Sequence, residues 1–513
     1  MEESRIKKTG KNTIMSIIQN FANIFLQFLS RVIFVRVLSA SYLGINGLFS
    51  NILNILSLAD LGMQTVMMYS LYKPIAQSDT NKIVALVQFF KRVYITIACV
   101  IGIFGLALVP FLKYIINLDN NIANIECYYI LALLNVVISY LFVYRTTLVM
   151  ADQKSYILSK YVILFRFITF AVQIIVLFLF KSYFIYLAVA VVFSFICNLC
   201  QNEVTLKMYP FLKDCKKELN ESDKKRVYSD IKAMFIYKLA GTVQGNTDNI
   251  LISIFVGTIF VGYYSNYIMV ITAVITVIGM IFSSVKASIG NIIASNDVDI
   301  DKKEFYYWVL ELIDFWLIAF CSIAFICLFS DFIELFFGNE YVLPSKIVIA
   351  SVLNFYTSNI RQALWTFRET TGIFRETQYI TAVTAIINVV LSLVGGYFWG
   401  MFGIIMATVI SRLLYAWWKE PIILFNKYFN KSSKQYYMVY IARFILFVLT
   451  CSVTYFIGAL VKSDNLFFTF VWKIVVCCIV PNLIFLFYFK NFKEFKYLWE
   501  KLVEPLRRKV FKT

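Results

Sequence analysis

Apolar runs of bilayer-crossing length follow one another from end to end of this chain. A helix needs about 20 predominantly apolar residues to cross the hydrocarbon core. Of the 513 residues, 60% are hydrophobic and 15% charged, against roughly 45–50% and about 25% in a soluble domain. A closed β-barrel is excluded, because its strands read as short alternating segments. Hydropathy predicts fourteen membrane helices, over 14–38, 42–69, 93–112, 128–150, 161–180, 183–204, 233–257, 260–285, 309–329, 347–367, 378–398, 401–424, 438–461 and 468–489. The fold class is therefore all-α and polytopic.

A cleavable leader does not fit the N-terminus. Its apolar stretch is interrupted by Arg31 and Arg36, and signal h-regions are short and uncharged. Most of the ten cysteines lie inside apolar runs, and Cys197 and Cys200 share one helix face. A lone pair without histidine is a poor metal site, so the cysteines read as small buried apolar residues. The chain has no histidine, which removes the usual proton switch. No cofactor is expected.

The basic residues orient the helices. With a cytoplasmic N-terminus, 35 of the 48 Lys and Arg fall in inner segments, and the outer loops hold only Lys113, Lys181, Lys346 and Lys462. Both termini are then cytoplasmic. The net charge of +18 needs no nucleic-acid partner, since positive-inside topology and attraction to anionic lipid account for it. The C-terminal "NFKEFKYLWEKLVEPLRRKVFKT" mixes aromatics with lysines, as an interfacial helix or a solvated tail would.

One phrase occurs twice. "VRVLSASYLGINGLFSNI" (Val35–Ile52) and "SIFVGTIFVGYYSNYIMV" (Ser253–Val270) align Gly44 with Gly262, at an offset of 262 − 44 = 218. Each is the junction of two predicted helices, and six helices separate the copies. "RTTLVMADQKSYILSKY" from Arg145 and "RQALWTFRETTGIFRETQY" from Arg361 form a second echo six helices apart. An even separation restores the direction of crossing, so the halves are expected to be parallel repeats. The expected organisation is an N-terminal lobe (1–206), a basic cytoplasmic loop (207–232), a C-terminal lobe (233–430), two further helices (431–490) and a basic interfacial tail (491–513). Substrate in such proteins binds where the repeats meet.

Charge at membrane depth is costly and marks function or pairing. The basic residues singled out within the spans are Arg31, Arg36, Arg145, Arg166, Lys238, Arg361, Arg412, Arg443 and Lys473, and the acidic ones are Asp60, Asp248, Glu311 and Asp314. Arg36 sits near the outer end of its helix, and Arg145, Arg166, Lys238, Glu311, Arg412 and Arg443 can snorkel to an interface. Arg31, Asp60, Asp248 and Arg361 are harder to place there. The seventh predicted helix carries Thr242, Gln244, Asn246, Thr247, Asp248 and Asn249, and the first carries Gln19, Asn20, Asn23, Gln27, Ser30 and Arg31. Lipid cannot accommodate such faces. The basic excess fits an anionic cargo such as a diphosphate, which arginine grips with two parallel hydrogen bonds.

The stretches "RVIFVRVLSASYLGINGLFSNILNILSLADLGM" and "TDNILISIFVGTIFVGYYSNY" resemble bacterial polysaccharide repeat-unit flippases of the Wzx type. Their superfamily also contains the lipid II flippase and the multidrug and toxin extruders. The resemblance implies two six-helix lobes, alternating access in the bacterial cytoplasmic membrane, and an undecaprenyl-diphosphate-linked oligosaccharide as cargo. It also implies a role in capsule, exopolysaccharide or O-antigen assembly alongside other polysaccharide-assembly proteins, with coupling to a proton or sodium gradient as an option. The cavity residues it points to are Arg31, Asp60, Asp248 and Arg361, and the reading of the helices adds Arg145, Gln244 and Asn246 as candidates.

Three rivals stand beside it. A lipid II or teichuronic-type flippase differs only in cargo. A drug extruder calls for an acidic cavity. A membrane polysaccharide polymerase, the enzymatic alternative, calls for a sizeable outer loop bearing catalytic groups, whereas the longest outer segments here are short and no catalytic constellation presents itself. The chain is expected not to be an enzyme.

Overall fold

The computed structural model describes residues 5–57, 63–116, 122–213, 217–294, 299–371, 373–461 and 464–503. The helices run α1 (Arg5–Val37), α2 (Ala40–Leu56), α3 (Met63–Ala76), α4 (Thr80–Leu108), α5 (Leu112–Ile115), α6 (Ile125–Tyr140), α7 (Val143–Ala151), α8 (Ser155–Phe180), α9 (Tyr183–Met208) and α10 (Glu221–Phe255). There follow α11 (Thr258–Ala294), α12 (Ile300–Phe337), α13 (Ser345–Asn359), α14 (Gln362–Thr370), α15 (Phe374–Ser411), α16 (Trp417–Leu424), α17 (Lys434–Ala459), α18 (Leu466–Phe489) and α19 (Lys493–Leu498). No strand occurs among the described residues.

Nine of the described helices are long and apolar enough to cross a membrane, and the pair α6 and α7, bent by 45°, makes a tenth. The longest of these segments, Tyr379–Phe429, folds back on itself. Gly400 adopts φ 56°, ψ −138°, and a Cβ on Gly403 would stand 2.0 Å from the Gly395 carbonyl oxygen. Eight residues of straight helix would instead separate these glycines by about 12 Å. The hairpin therefore supplies two crossings. With α10 and the interrupted pairs α2/α3 and α13/α14, the pieces are compatible with fourteen crossings. At the tip, Tyr397, Phe398 and Trp399 are 76%, 67% and 66% exposed.

The chain divides into two compact units, 1–262 and 263–513. In the first, α8 packs between α1 and α9, α6 packs on α9 and α4, and α10 packs on α2 and α3. The polar stretch expected as a loop up to Lys232 is partly helical, since α10 begins at Glu221. Lys82–Asp223 (2.9 Å) and Arg92–Glu218 (3.2 Å) tie this region to α4. In the second unit α12 is the central element, flanked by α13, α14, α17, α18 and α19.

The second unit also holds the interruption between α13 and α14. Breaking a helix frees backbone groups, which apolar surroundings must re-satisfy. The Trp417 indole N–H donates to the Thr357 carbonyl at 3.4 Å, and the Tyr440 hydroxyl donates to the Ile360 carbonyl at 3.1 Å. The Ala363 N–H donates to Asp314 Oδ2 at 3.1 Å. Side chains from three other segments thus replace the missing helical bonds.

Candidate functional site

A chamber of about 830 Å³ lies inside the first unit. Its described walls come from α1, α2, α6, α8 and α9. From α1 it takes Asn23, Gln27, Ser30 and Arg31, at spacings of four, seven and eight residues that place them on one helix face. From α8 it takes Arg166, Thr169 and Gln173, again one stripe. The opposite face of α8 presents the exposed apolar residues Leu164, Phe167, Ile175 and Phe178. The helix is thus apolar toward lipid and polar toward the protein interior, the arrangement that bilayer surroundings impose.

The polar stripe from Arg166 to Gln173 covers seven helical steps, about 10 Å of rise. Roughly a third of a bilayer's hydrocarbon thickness is thereby lined with polar groups. Asn46, Asn54, Asn135, Asn198 and Gln201 add amides from α2, α6 and α9. Tyr186 and Ser30 hydroxyls lie 3.2 Å apart, the Tyr183 hydroxyl donates to Asn46 Oδ1 at 3.2 Å, and Gln173 Nε2 donates to the Tyr186 carbonyl at 3.1 Å. Asn135 Oδ1 is buried and has no hydrogen-bond partner among the described residues.

The electrostatics are one-sided. Two arginines line the chamber, and no carboxylate does so among the described residues. Arg31 is within electrostatic range of Tyr183 and Tyr186. Guanidinium groups beside many neutral amides and hydroxyls suit a ligand that is anionic at one place and hydroxyl-rich elsewhere. Among the described residues, no group of three His, Cys, Asp or Glu side chains could hold a metal.

Of the seven residues proposed from sequence, Arg31, Arg145, Asp248 and Arg361 have described side chains. Arg31 lines the chamber. Arg145 sits on α7, where Nη1 donates to Asn202 Oδ1 and the guanidinium lies 5.5 Å from the Tyr144 ring centre. Asp248 is half-buried on α10. Gln244 and Asn246 fall on the same helix, with side chains outside the described set, and Asp60 lies outside the described residues altogether.

Arg361 stands in the second unit, 3% exposed, with Nη1 3.1 Å from Glu420 Oε2. Arg368 binds the other oxygen of Glu420 at 3.2 Å, and Trp365 Nε1 adds a bond at 3.3 Å. The guanidinium of Arg361 also lies over the Trp365 and Trp417 rings. This is the structural ion pair that any intramembrane charge can form. A second buried pair joins Arg443 to Glu311.

Two of these residues do not stand out in the sequence. Glu420 lies close to the inner end of its predicted helix, outside the four intramembrane acids. Arg166 reads as a snorkelling residue by its position, although its spacing to Thr169 and Gln173 marks a polar stripe on an apolar helix.

Comparison with solved structures identifies the fold. The chain is similar to "Lipid II flippase MurJ, inward closed conformation", at 13% identity and a TM-score of 0.62, with 94% of this chain and 99% of that chain covered. It is similar to an inward-facing multidrug resistance MATE family transporter of the MOP superfamily, at 13% identity and a TM-score of 0.57, covering 78% and 95%. It is also similar to the Vibrio cholerae MATE transporter VcmN, at 11% identity and a TM-score of 0.54, covering 80% and 94%. No protein-family model and no curated protein matches the chain. The protein therefore has the polytopic, multi-pass membrane fold of the MurJ and MATE proteins.

Proposed function

We propose that this protein is a flippase of the bacterial cytoplasmic membrane, with both termini in the cytosol. In this reading it carries an undecaprenyl-diphosphate-linked oligosaccharide, a capsule, exopolysaccharide or O-antigen unit, from the inner to the outer leaflet by alternating access. The observation that carries the reading is the chamber with Arg31 and Arg166 in a wall whose other described residues are uncharged and mix amides and hydroxyls with apolar side chains. The guanidinium groups hold the anionic part of the head group, and the amide and hydroxyl walls meet the sugar hydroxyls. The polyprenyl tail stays in lipid. The solved structures of similar fold belong to transporters and a flippase, in keeping with a non-enzymatic role. A cationic drug fits poorly, because it would meet two arginines and no described carboxylate.

The second reading is a lipid II flippase, favoured by the extent of the structural match to MurJ. Both readings are tested by reconstituting the purified protein in vesicles with lipid-linked sugars labelled on the inside. Protein-dependent appearance of a repeat-unit oligosaccharide outside, with lipid II left behind, is the expected result. Transport of lipid II alone selects the second reading, and transport of neither ends the flippase assignment.

A further inference from the structure

The last membrane helix and the short helix after it enclose a groove of about 570 Å³, well away from the chamber in sequence. Its floor is Leu483, Leu486 and Phe487 of α18. Its rim carries Lys490 at the end of α18, with Lys496 and Trp499 beyond it.

The two faces of α18 are assigned by their contacts. Asn482, Phe485 and Phe489 point toward α12, where Trp316 Nε1 donates to Asn482 Oδ1 at 2.7 Å and Phe315 packs on Phe485 and Phe489. Leu483, Leu486, Phe487 and Lys490 follow the spacing i, i+3, i+4, i+7 and form the other face. Leu483 and Phe487 are 59% and 74% exposed.

The short helix is anchored on its own inner side. Phe495 stacks on Trp316 with ring centres 6.0 Å apart, and Tyr497 meets Phe305 edge-on at 5.5 Å. A rigid basic and aromatic rim is thus held over an apolar floor that continues into the lipid-facing surface of α18.

We propose that this groove is a binding site for one anionic glycerophospholipid. An acyl chain lies on Leu483, Leu486 and Phe487, and the phosphate is held between Lys490 and Lys496. Trp499 occupies the level between hydrocarbon and head groups, where its ring is favoured. The charge argument is local: two lysines line the groove against one acid, Glu500. Basic residues at a membrane surface attract anionic lipid in this way. A free phosphate would use the lysines and leave the floor empty, and a zwitterionic lipid would use the floor without the charge.

The test uses purified full-length protein titrated with phosphatidylglycerol or phosphatidylcholine, with bound lipid counted by native mass spectrometry. Phosphatidylglycerol is expected to bind more tightly. In K490Q/K496Q that preference is expected to fall by roughly thirtyfold, the combined effect of two surface lysines. Lys493→Gln removes a charge from the same helix outside the groove and should leave the preference intact. Glu500→Gln should strengthen phosphatidylglycerol binding, and Phe487→Ala should weaken both lipids. Equal binding of the two lipids by the unaltered protein overturns the proposal. So does an equal loss in K493Q and K490Q/K496Q, or indifference to E500Q.

Discussion

Gly44 and Gly262 touch, and they do so reciprocally. A Cβ built on Gly262 would stand 2.7 Å from the Gly44 nitrogen and 2.9 Å from the Ala40 carbonyl oxygen, and one on Gly44 would stand 2.2 Å from the Thr258 carbonyl oxygen. The repeat offset relates Gly44 to Gly262 and also Ala40 to Thr258, since 262 − 44 and 258 − 40 both equal 218. Each glycine therefore meets the other and the residue four before it in the other copy. That is the self-complementary pattern of a two-fold contact, and it explains why both copies of the phrase place glycine here.

Substitution at this contact is predicted to be destabilising even for alanine. The obstructing atoms are backbone, so Gly44→Ala and Gly262→Ala should each cost about 1–3 kcal/mol, in the range of overpacked sites. Gly279, whose added Cβ meets nothing within 4 Å, serves as the control and should accept alanine. Thermal unfolding of the purified variants, followed by tryptophan fluorescence, checks the contrast.

In the chamber, Arg31→Ala and Arg166→Ala should each slow translocation about tenfold or more, the effect of losing a charge-assisted hydrogen bond of about 1.5–3 kcal/mol. Thermal stability should change little in Arg166→Ala, because that side chain is exposed to the chamber. Arg→Lys at either position should restore part of the rate, since charge remains and the two-pronged geometry is lost. The vesicle assay, run with stability measured on the same preparations, separates the two effects.

Arg361 should behave in the opposite manner. Removing one member of a buried ion pair costs about 3–5 kcal/mol, so Arg361→Ala should lower the unfolding temperature sharply. Glu420→Ala should be at least as severe, because it strands both Arg361 and Arg368. A variant of Arg361 that is stable but inactive would contradict this assignment.

Asp314 stabilises the start of α14 through the Ala363 N–H. Asp314→Asn keeps a carbonyl acceptor and should be mild. Asp314→Leu removes the bond and should cost about 1–2 kcal/mol, as losing a helix cap does. Hydrogen exchange at the Ala363 amide should quicken in the leucine variant alone.

The fold was legible in sequence where it depends on the bilayer. Runs of apolar residues gave the crossings, and the two glycine phrases mark two backbones that meet closely. Even the turn between the predicted helices ending at 398 and starting at 401 coincides with Gly400. The partners of buried charges were less accessible. Arg361 and Glu420 lie 59 residues apart, and nothing in local spacing announces their meeting. The chamber was hidden for a related reason. Its polar wall is divided among five helices, each contributing one narrow stripe, so no single segment looks like a site. Arg31 could be named from one helix alone. Arg166 is legible only once its spacing to Thr169 and Gln173 on α8 is read as a polar stripe.

The hairpin tip at Tyr397, Phe398 and Trp399 has a mechanical consequence. Three exposed rings beside a backbone reversal behave as a float, since aromatic side chains settle at the water–lipid boundary. A tip anchored in this way is expected to follow the lipid boundary, so that a change of bilayer thickness would load α15 and, through it, the α13–α15 packing.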